Sequence, residues 1–238
     1  RTKLSKRKNP VSISADFKGK GYLPEALINF LAFLSWTPDS STGENREFFS
    51  LDELVDEFDL ADVNISPAIF DQQKLNYLNG YYIRQLPLGD LAKRCLPYLE
   101  KAGLVKKENE KVLNALGLVQ ERMKVLSEAP ELTSFFFEKP KYEKELLIAK
   151  KATQEETLKA LEESLKVLEK ENDFGRDSTE QLLRALADKI GIEAGKILWT
   201  IRVSLSGKTA SPGVFELLDV IGKEESLERI KNAISMLK

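Results

Sequence analysis

TQEETLKALEESLKVLEKEN, residues 153–172, decides the class of fold. Thr153 followed by Glu156 is a capping box, in which the hydroxyl accepts the backbone N–H three residues on and the carboxylate reaches back. Behind it Leu158, Leu161, Leu165 and Leu168 step by three, four and three, so one apolar stripe faces a core and a charged face meets water. The same cap stands at Ser50/Glu53 before LDELVDEF, and at Ser178/Gln181 in STEQLLRALADKIG, which Gly191 closes. Val112, Leu116, Val119, Met123 and Leu126 trace the stripe of a further helix. SPGVFELLDVIG predicts a helix capped by Ser211, with Pro212 at its first position and its end at Gly222. A last helix buries Leu227, Ile230, Ile234 and Leu237. Period-two patterns are scarce, and the run Phe135 to Phe137 is too short to read as a strand. The chain is expected to be mostly α.

Composition narrows the chemistry. The 238 residues are 42% hydrophobic, enough for a proper core, and 36 basic against 38 acidic residues leave a net charge of −2. Bulk charge therefore gives no reason to bind nucleic acid; local patches must do it. There is no histidine, which removes Ser-His-Asp and Cys-His catalysis and imidazole-ligated metals. The single cysteine, Cys95 in LAKRCLPYL, excludes an internal disulfide and reads as a small buried hydrophobe. No apolar run approaches ~20 residues and no signal peptide opens the chain, so a soluble cytosolic protein is expected.

Charge is uneven along the chain. Residues 1–20 carry seven Lys/Arg against one Asp, whereas 39–62 carry nine Asp/Glu against one Arg, a pattern of solvated helical surface. Joints are expected at Thr37 to Asn45, Gln85 to Asp90 and Ala129 to Tyr142. SLSGKT at Ser204 to Thr209 is not a phosphate-wrapping loop, because that motif needs glycine where Arg202 stands and a strand where helix is read. It is a glycine-containing loop between helices, with Arg202 and Lys208 placed to meet a phosphate. KLSKR at Lys3 to Arg7 sets two lysines on one side of a short loop. Read alone, it fits both a solvated tail and a device that neutralises a triphosphate.

Five blocks, in order, carry a family resemblance. KLSKR resembles the second signature of class I aminoacyl-tRNA synthetases in the form typical of glutamyl-tRNA synthetases. GYLPEALINFLAFLSW (Gly21 to Trp36) is similar to the segment that follows that loop. FDQQKLNYLNGYYIRQL (Phe70 to Leu86) resembles the block with the Lys-Leu and Asn-x-x-Tyr-Ile pattern. LVQERMKVLSEAPELTSFFF (Leu118 to Phe137) resembles the family's helix carrying an Arg before a short linker and an aromatic cluster, and Gly195 to Ile234 resembles its carboxyl-terminal domain. The resemblance implies a carboxyl-terminal portion, with the Rossmann catalytic domain and its His-x-Gly-His signature absent from this histidine-free chain. It implies a stem-contact helical domain (residues 1–86) and an all-helical anticodon-binding region in two parts (87–140 and 141–238).

The implied activity is that of a glutamate–tRNA ligase: ATP with Mg²⁺ activates glutamate as glutamyl-adenylate, and the glutamyl group passes to tRNA(Glu). The resemblance leaves tRNA(Gln) open as a second partner and implies a monomer, with this chain inactive alone. It assigns ATP phosphates to Lys6, with Lys3, Ser5 and Arg7 as loop partners. For tRNA it points to Arg122, Lys124, Trp199, Arg202 and Lys208. The plainer alternatives are an ion pair for Arg122, solvation for Arg202 and Lys208, and a place in the core for Trp199 within ILWTI. The rival function is a helical scaffold docking a protein partner through an exposed face.

Overall fold

Two of the three capping boxes form as written. The Ser50 hydroxyl accepts the Glu53 N–H (3.2 Å) while the Glu53 carboxylate accepts the Ser50 N–H (2.7 Å). Thr153 and Glu156 exchange the same bonds at 3.1 and 3.0 Å. The third does not. The helix expected to start at Ser178 starts at Arg176 with Gly175 as its cap, because Gly175 already accepts the first helical bond from Thr179 (3.1 Å). The helix expected after Ser211 begins at Val214, where Gly213 accepts from Leu217 (3.0 Å).

The computed structural model describes residues 12–38, 46–65 and 68–238. Along them run a π-helical turn at Ile13–Lys18 and the α-helices α1 (Pro24–Ala32), α2 (Leu51–Glu57), α3 (Gln72–Gln85), α4 (Leu88–Lys101), α5 (Glu110–Val119) and α6 (Ala129–Phe137). Then follow α7 (Gln154–Lys170), α8 (Arg176–Ile190), α9 (Ala194–Ser206), α10 (Val214–Ile221) and α11 (Lys223–Leu237). No strand occurs among the described residues, only an isolated bridge between Trp36 and Val63, so the chain is mostly α as expected. It divides into two compact units: residues 1–103 with 120–130, and residues 104–119 with 131–238.

In unit 1, α1 packs on α3 around Phe30, Leu75 and Leu78. Two buried amides tie the pieces together. Asn79 accepts the Leu23 N–H (2.7 Å) and donates to the Lys124 carbonyl; Asn29 accepts the Phe49 N–H (2.9 Å) and donates to the Glu47 carbonyl (2.9 Å). The Tyr82 hydroxyl lies 2.6 Å from the Phe49 carbonyl oxygen. Asn79 and Tyr82, the polar residues of the Asn-x-x-Tyr-Ile pattern, are therefore structural: each satisfies backbone that burial would otherwise strand. Gly21, at φ 79°, lets the backbone pass Leu126, whose Cβ would lie 2.6 Å from any added Cβ.

The stripe from Val112 to Leu126 is buried as its period requires, but it is not one helix. The α-helix stops at Val119, and residues 120–122 form a 3₁₀ turn. Gln120 accounts for the break: its amide donates to the carbonyls of Ile83 and Leu86 (both 2.9 Å) at the end of α3, an attachment made inside unit 1. Val112, Leu116 and Val119 thus bury in unit 2, and Met123 and Leu126 in unit 1.

Unit 2 is a helical bundle in which α7 lies against α9 and α11. α7 and α11 run antiparallel: Gln154 donates to the Leu237 carbonyl (2.7 Å) at one end and Lys223 to the Glu169 carbonyl (3.0 Å) at the other. Phe135 and Phe136, left unread in the sequence, end α6 inside this core.

Candidate nucleic-acid interface

The described residues offer little covalent chemistry. They contain no group of three or more His, Cys, Asp or Glu placed to hold a metal ion. Cys95 is buried, 4.0 Å from the Met123 sulfur, and burial pushes its thiol up to about 12, so it carries no thiolate at neutral pH. Lys3, Ser5, Lys6 and Arg7 lie outside the described residues.

SLSGKT, expected as a loop, is helical in its first three residues, and the loop begins only at Gly207. α9 runs to Ser206, and Gly207 closes it in the left-handed conformation at φ 66°. That glycine is also pressed against its neighbours: an added Cβ would meet Pro140 Cβ at 2.8 Å and Tyr142 Cδ1 at 3.0 Å. The loop is therefore held on the segment 140–142. Its lysine is held as well, the Lys208 ammonium donating to the Glu131 carbonyl (2.7 Å).

One helical turn back, α9 presents Trp199 and Arg202. Trp199 is half-buried; its indole N–H donates to the Leu146 carbonyl (3.0 Å), and its apolar body packs against the unit 2 core. The Arg202 guanidinium lies over that ring with its carbon 4.8 Å from the centroid, and donates to the Thr209 carbonyl (3.0 Å). So Trp199 and Arg202 are in contact, and Arg202 binds the backbone of Thr209, the residue after Lys208. Lys196, near the start of α9, is engaged with Glu156 at 3.6 Å.

Arg122 and Lys124 fall in unit 1 and form a separate pair of positions. Both are exposed. They sit not on an amphipathic helix, as expected, but on the 3₁₀ turn and the loop after it, where the Glu128 carboxylate accepts the Lys124 backbone N–H (2.7 Å). The turn exists because Gln120 anchors it to α3.

The sequence reading passed over a face of α3. Tyr77 is 48% exposed, the Lys74 ammonium lies 5.1 Å from its ring centroid, and Tyr81 stacks on Phe48 at 3.6 Å with planes 15° apart. Its signal was present: Lys74, Tyr77, Tyr81 and Arg84 step by three, four and three. Lys74 and Arg84 are each met by a carboxylate, Glu47 and Glu121, so this face is aromatic more than cationic. The acidic block behaves as read, α2 exposing its carboxylates, with Arg46 pairing to Glu53 (2.6 Å) and Glu57 (2.8 Å).

The chain as a whole is similar to known proteins. Residues 90–234 match the family model of the anticodon binding domain, and residues 1–77 match that of the class I tRNA synthetase catalytic domain (E and Q). Among curated relatives, the glutamate–tRNA ligase of Clostridium novyi (strain NT) is 41% identical over 242 residues, covering 99% of this chain and 48% of that protein. That of Herpetosiphon aurantiacus is 39% identical over 241 residues, with the same two coverages. The crystal structure of a glutamate tRNA ligase from Elizabethkingia meningosepticum, in complex with its amino acid, superposes with a TM-score of 0.86 at 31% identity. It is matched over 100% of this chain and 49% of its own. The glutamate-tRNA synthetase structure from Elizabethkingia anophelis gives 0.79 at 29% identity, covering 92% of this chain and 42% of that one. The chain spans about half the length of the curated relatives it matches.

Proposed function

This chain belongs to the anticodon binding domain family, and from that premise we propose that it is the tRNA-gripping portion of a glutamate–tRNA ligase. The observation that carries the reading is the family match over residues 90–234, within which Trp199 and Arg202 pack together and Lys208 precedes the residue that Arg202 binds. Residues 1–86 would contact the stem of the tRNA, and residues 87–140 and 141–238 its anticodon arm. Arg122, Lys124 and Lys208 would meet phosphates, which position an RNA without reading it, while Trp199 and Arg202 supply a plane for an unstacked base.

In the whole enzyme the glutamate carboxylate attacks the α-phosphate of ATP, pyrophosphate leaves, and the adenylate then gives its glutamyl group to the terminal ribose of tRNA(Glu). Lys6, with Lys3, Ser5 and Arg7, would neutralise charge on the departing pyrophosphate. The described residues hold no group of three or more His, Cys, Asp or Glu placed for a metal ion, and Mg²⁺ would travel on the phosphates. tRNA(Gln) is a second candidate partner, one copy of the chain suffices for the surface described, and translation places the protein in the cytoplasm. No helix among the described residues is long and apolar enough to cross a membrane.

The test is a titration of the chain with a tRNA(Glu) transcript at two ionic strengths, with tRNA(Gln) beside it. Binding should weaken as salt rises, because each phosphate contact releases counterion. Absence of binding, or binding without a salt slope, would overturn the reading. ATP–pyrophosphate exchange with glutamate should be undetectable for this chain alone, and Lys6→Ala should damage that exchange in a full-length enzyme while sparing tRNA binding.

A further inference from the structure

α1 and α2 each bury one side and leave part of their apolar surface uncovered. On α1, Ala26 and Phe30 are buried, while Ile28 and Leu31 stay exposed, Leu31 by 52%. On α2 and its cap, Leu51, Leu54, Val55 and Phe58 follow the helical period, yet only Leu54 is buried and Val55 is 72% exposed. The two helices pack on each other, so Ile28, Leu31, Val55 and Phe58 line one open groove of about 540 Å³, with Leu54 beneath them. A single exposed leucine needs no explanation, but apolar side chains of two helices gathered in one groove do. Beside the stripe of α2 runs an acidic row, Asp52 after Leu51 and Asp56 after Val55. Arg46, the one cation of residues 39–62, pairs with Glu53 and Glu57, which leaves Asp52 and Asp56 unmatched among the described residues.

These features restrict what can cover the groove. Nucleic acid is unsuited, since its phosphates would meet the two free carboxylates. A second copy in a twofold contact would set the same carboxylates against each other. What fits is a protein surface that is apolar at its centre and cationic along one edge. The whole groove lies within residues 1–77, the part that matches the class I synthetase catalytic domain, and the chain spans about half the length of the curated ligases it matches. We propose that the groove between α1 and α2 is the docking face for the rest of that catalytic domain, in the half of the enzyme that this chain does not span. Ile28, Leu31, Val55 and Phe58 form its apolar seat, and Asp52 and Asp56 face cations of the docked surface. Because α1 follows KLSKR in the chain, seating it there fixes the downstream anchor of that loop. The inference rests on the family match and not on tRNA binding.

The experiment is thiol protection. Val55→Cys places a reactive thiol in the groove, while buried Cys95 stays silent. Lys150→Cys, on an exposed turn of unit 2, is the control. Maleimide labelling at each site, read by peptide mass, is compared between this chain and the full-length enzyme. The thiol of Val55→Cys should react at the control rate in this chain and at least about tenfold more slowly in the full-length enzyme, with the control alike in both. Equal reactivity at the groove in the two proteins overturns the inference. So does protection in this chain alone that grows with its concentration, which marks a second copy, or that appears on adding a tRNA(Glu) transcript, which marks RNA. Leu31→Asp gives a second measurement: it should leave the urea midpoint of this chain unchanged and lower the thermal midpoint of the full-length enzyme. An equal loss in both, or none in either, overturns the inference too. A chain that binds no tRNA yet shows the protection refutes the tRNA reading and leaves this inference standing.

Discussion

Arg229 is the least visible residue in the sequence and among the most connected in the structure. In SLERIKNAI it stands four residues after Glu225 and reads as half of a solvent-exposed helical ion pair. It is in fact 3% exposed. Besides the Glu225 carboxylate (2.7 Å), its guanidinium donates to the carbonyls of Phe135 and Leu205 (both 2.6 Å) and Glu138 (3.2 Å), in or just past the last turns of α6 and α9. A cation there meets the negative ends of two helix dipoles and satisfies carbonyls that the helices leave bare. Partners so distant along the chain leave no local pattern, which is why sequence reasoning missed them. Arg229→Met should cost about 3–5 kcal/mol in urea unfolding, because it strands both the carboxylate and the carbonyls. Arg229→Lys should recover only part of that, lacking the fork. A buried thiol and a partly buried phenol add a pH dependence. Burial lifts the Cys95 thiol from 9.0 and the Tyr142 phenol from 10.0, each to about 12, the latter against the pull of Arg229. The folded state therefore keeps protons that the unfolded chain releases. Stability should be complete below pH 9.0 and fall as the pH climbs toward about 12. Urea midpoints on either side of that window should show the decline, with a shallower slope in Cys95→Ala.

Helices were legible wherever a local device set them. The capping boxes at Ser50 and Thr153, the left-handed glycine at 191 and the leucine stripe of α7 all involve residues within a few positions of each other. Where another contact competed, the local signal failed. Ser178 has the right neighbour in Gln181, but the helix is already under way from Gly175, so its hydroxyl has no cap to make. The contrast can be measured: Thr153→Ala should cost about 1 kcal/mol, whereas Ser178→Ala should stay within about 0.5 kcal/mol of wild type. Equal losses would show that Ser178 caps after all. The end of α5 teaches the same lesson. The apolar period ran on through Met123 and Leu126, and burial followed it, yet the helix stopped because the Gln120 amide serves the carbonyls of Ile83 and Leu86.

On the scale of the whole molecule, the five resembling blocks and the helical class were readable from the sequence; the allocation of residues between the two units was not. Residues 120–130 are a constituent of unit 1, not a linker. They supply Gln120 to α3, the Lys124 carbonyl to Asn79, the Leu126 N–H to the Gly21 carbonyl (3.2 Å) and Met123 to Cys95. A fragment ending at Gly103 should therefore unfold without a sharp transition by circular dichroism, and adding residues 120–130 as a separate peptide should sharpen it. If the shorter fragment already unfolds cooperatively, with the midpoint of the pair, the segment is dispensable.

That allocation also imposes a timetable on the ribosome. Residues 104–119 leave the exit tunnel before the segment that completes the first unit, although α5 within them packs with α10, which begins at Val214. At about 5–20 residues per second, the greasy side of α5 waits several seconds for its mate while translation continues around it. The nascent chain is thus most vulnerable to chaperone capture or aggregation during that interval, and slowing elongation between α5 and α10 should lower the yield of soluble protein.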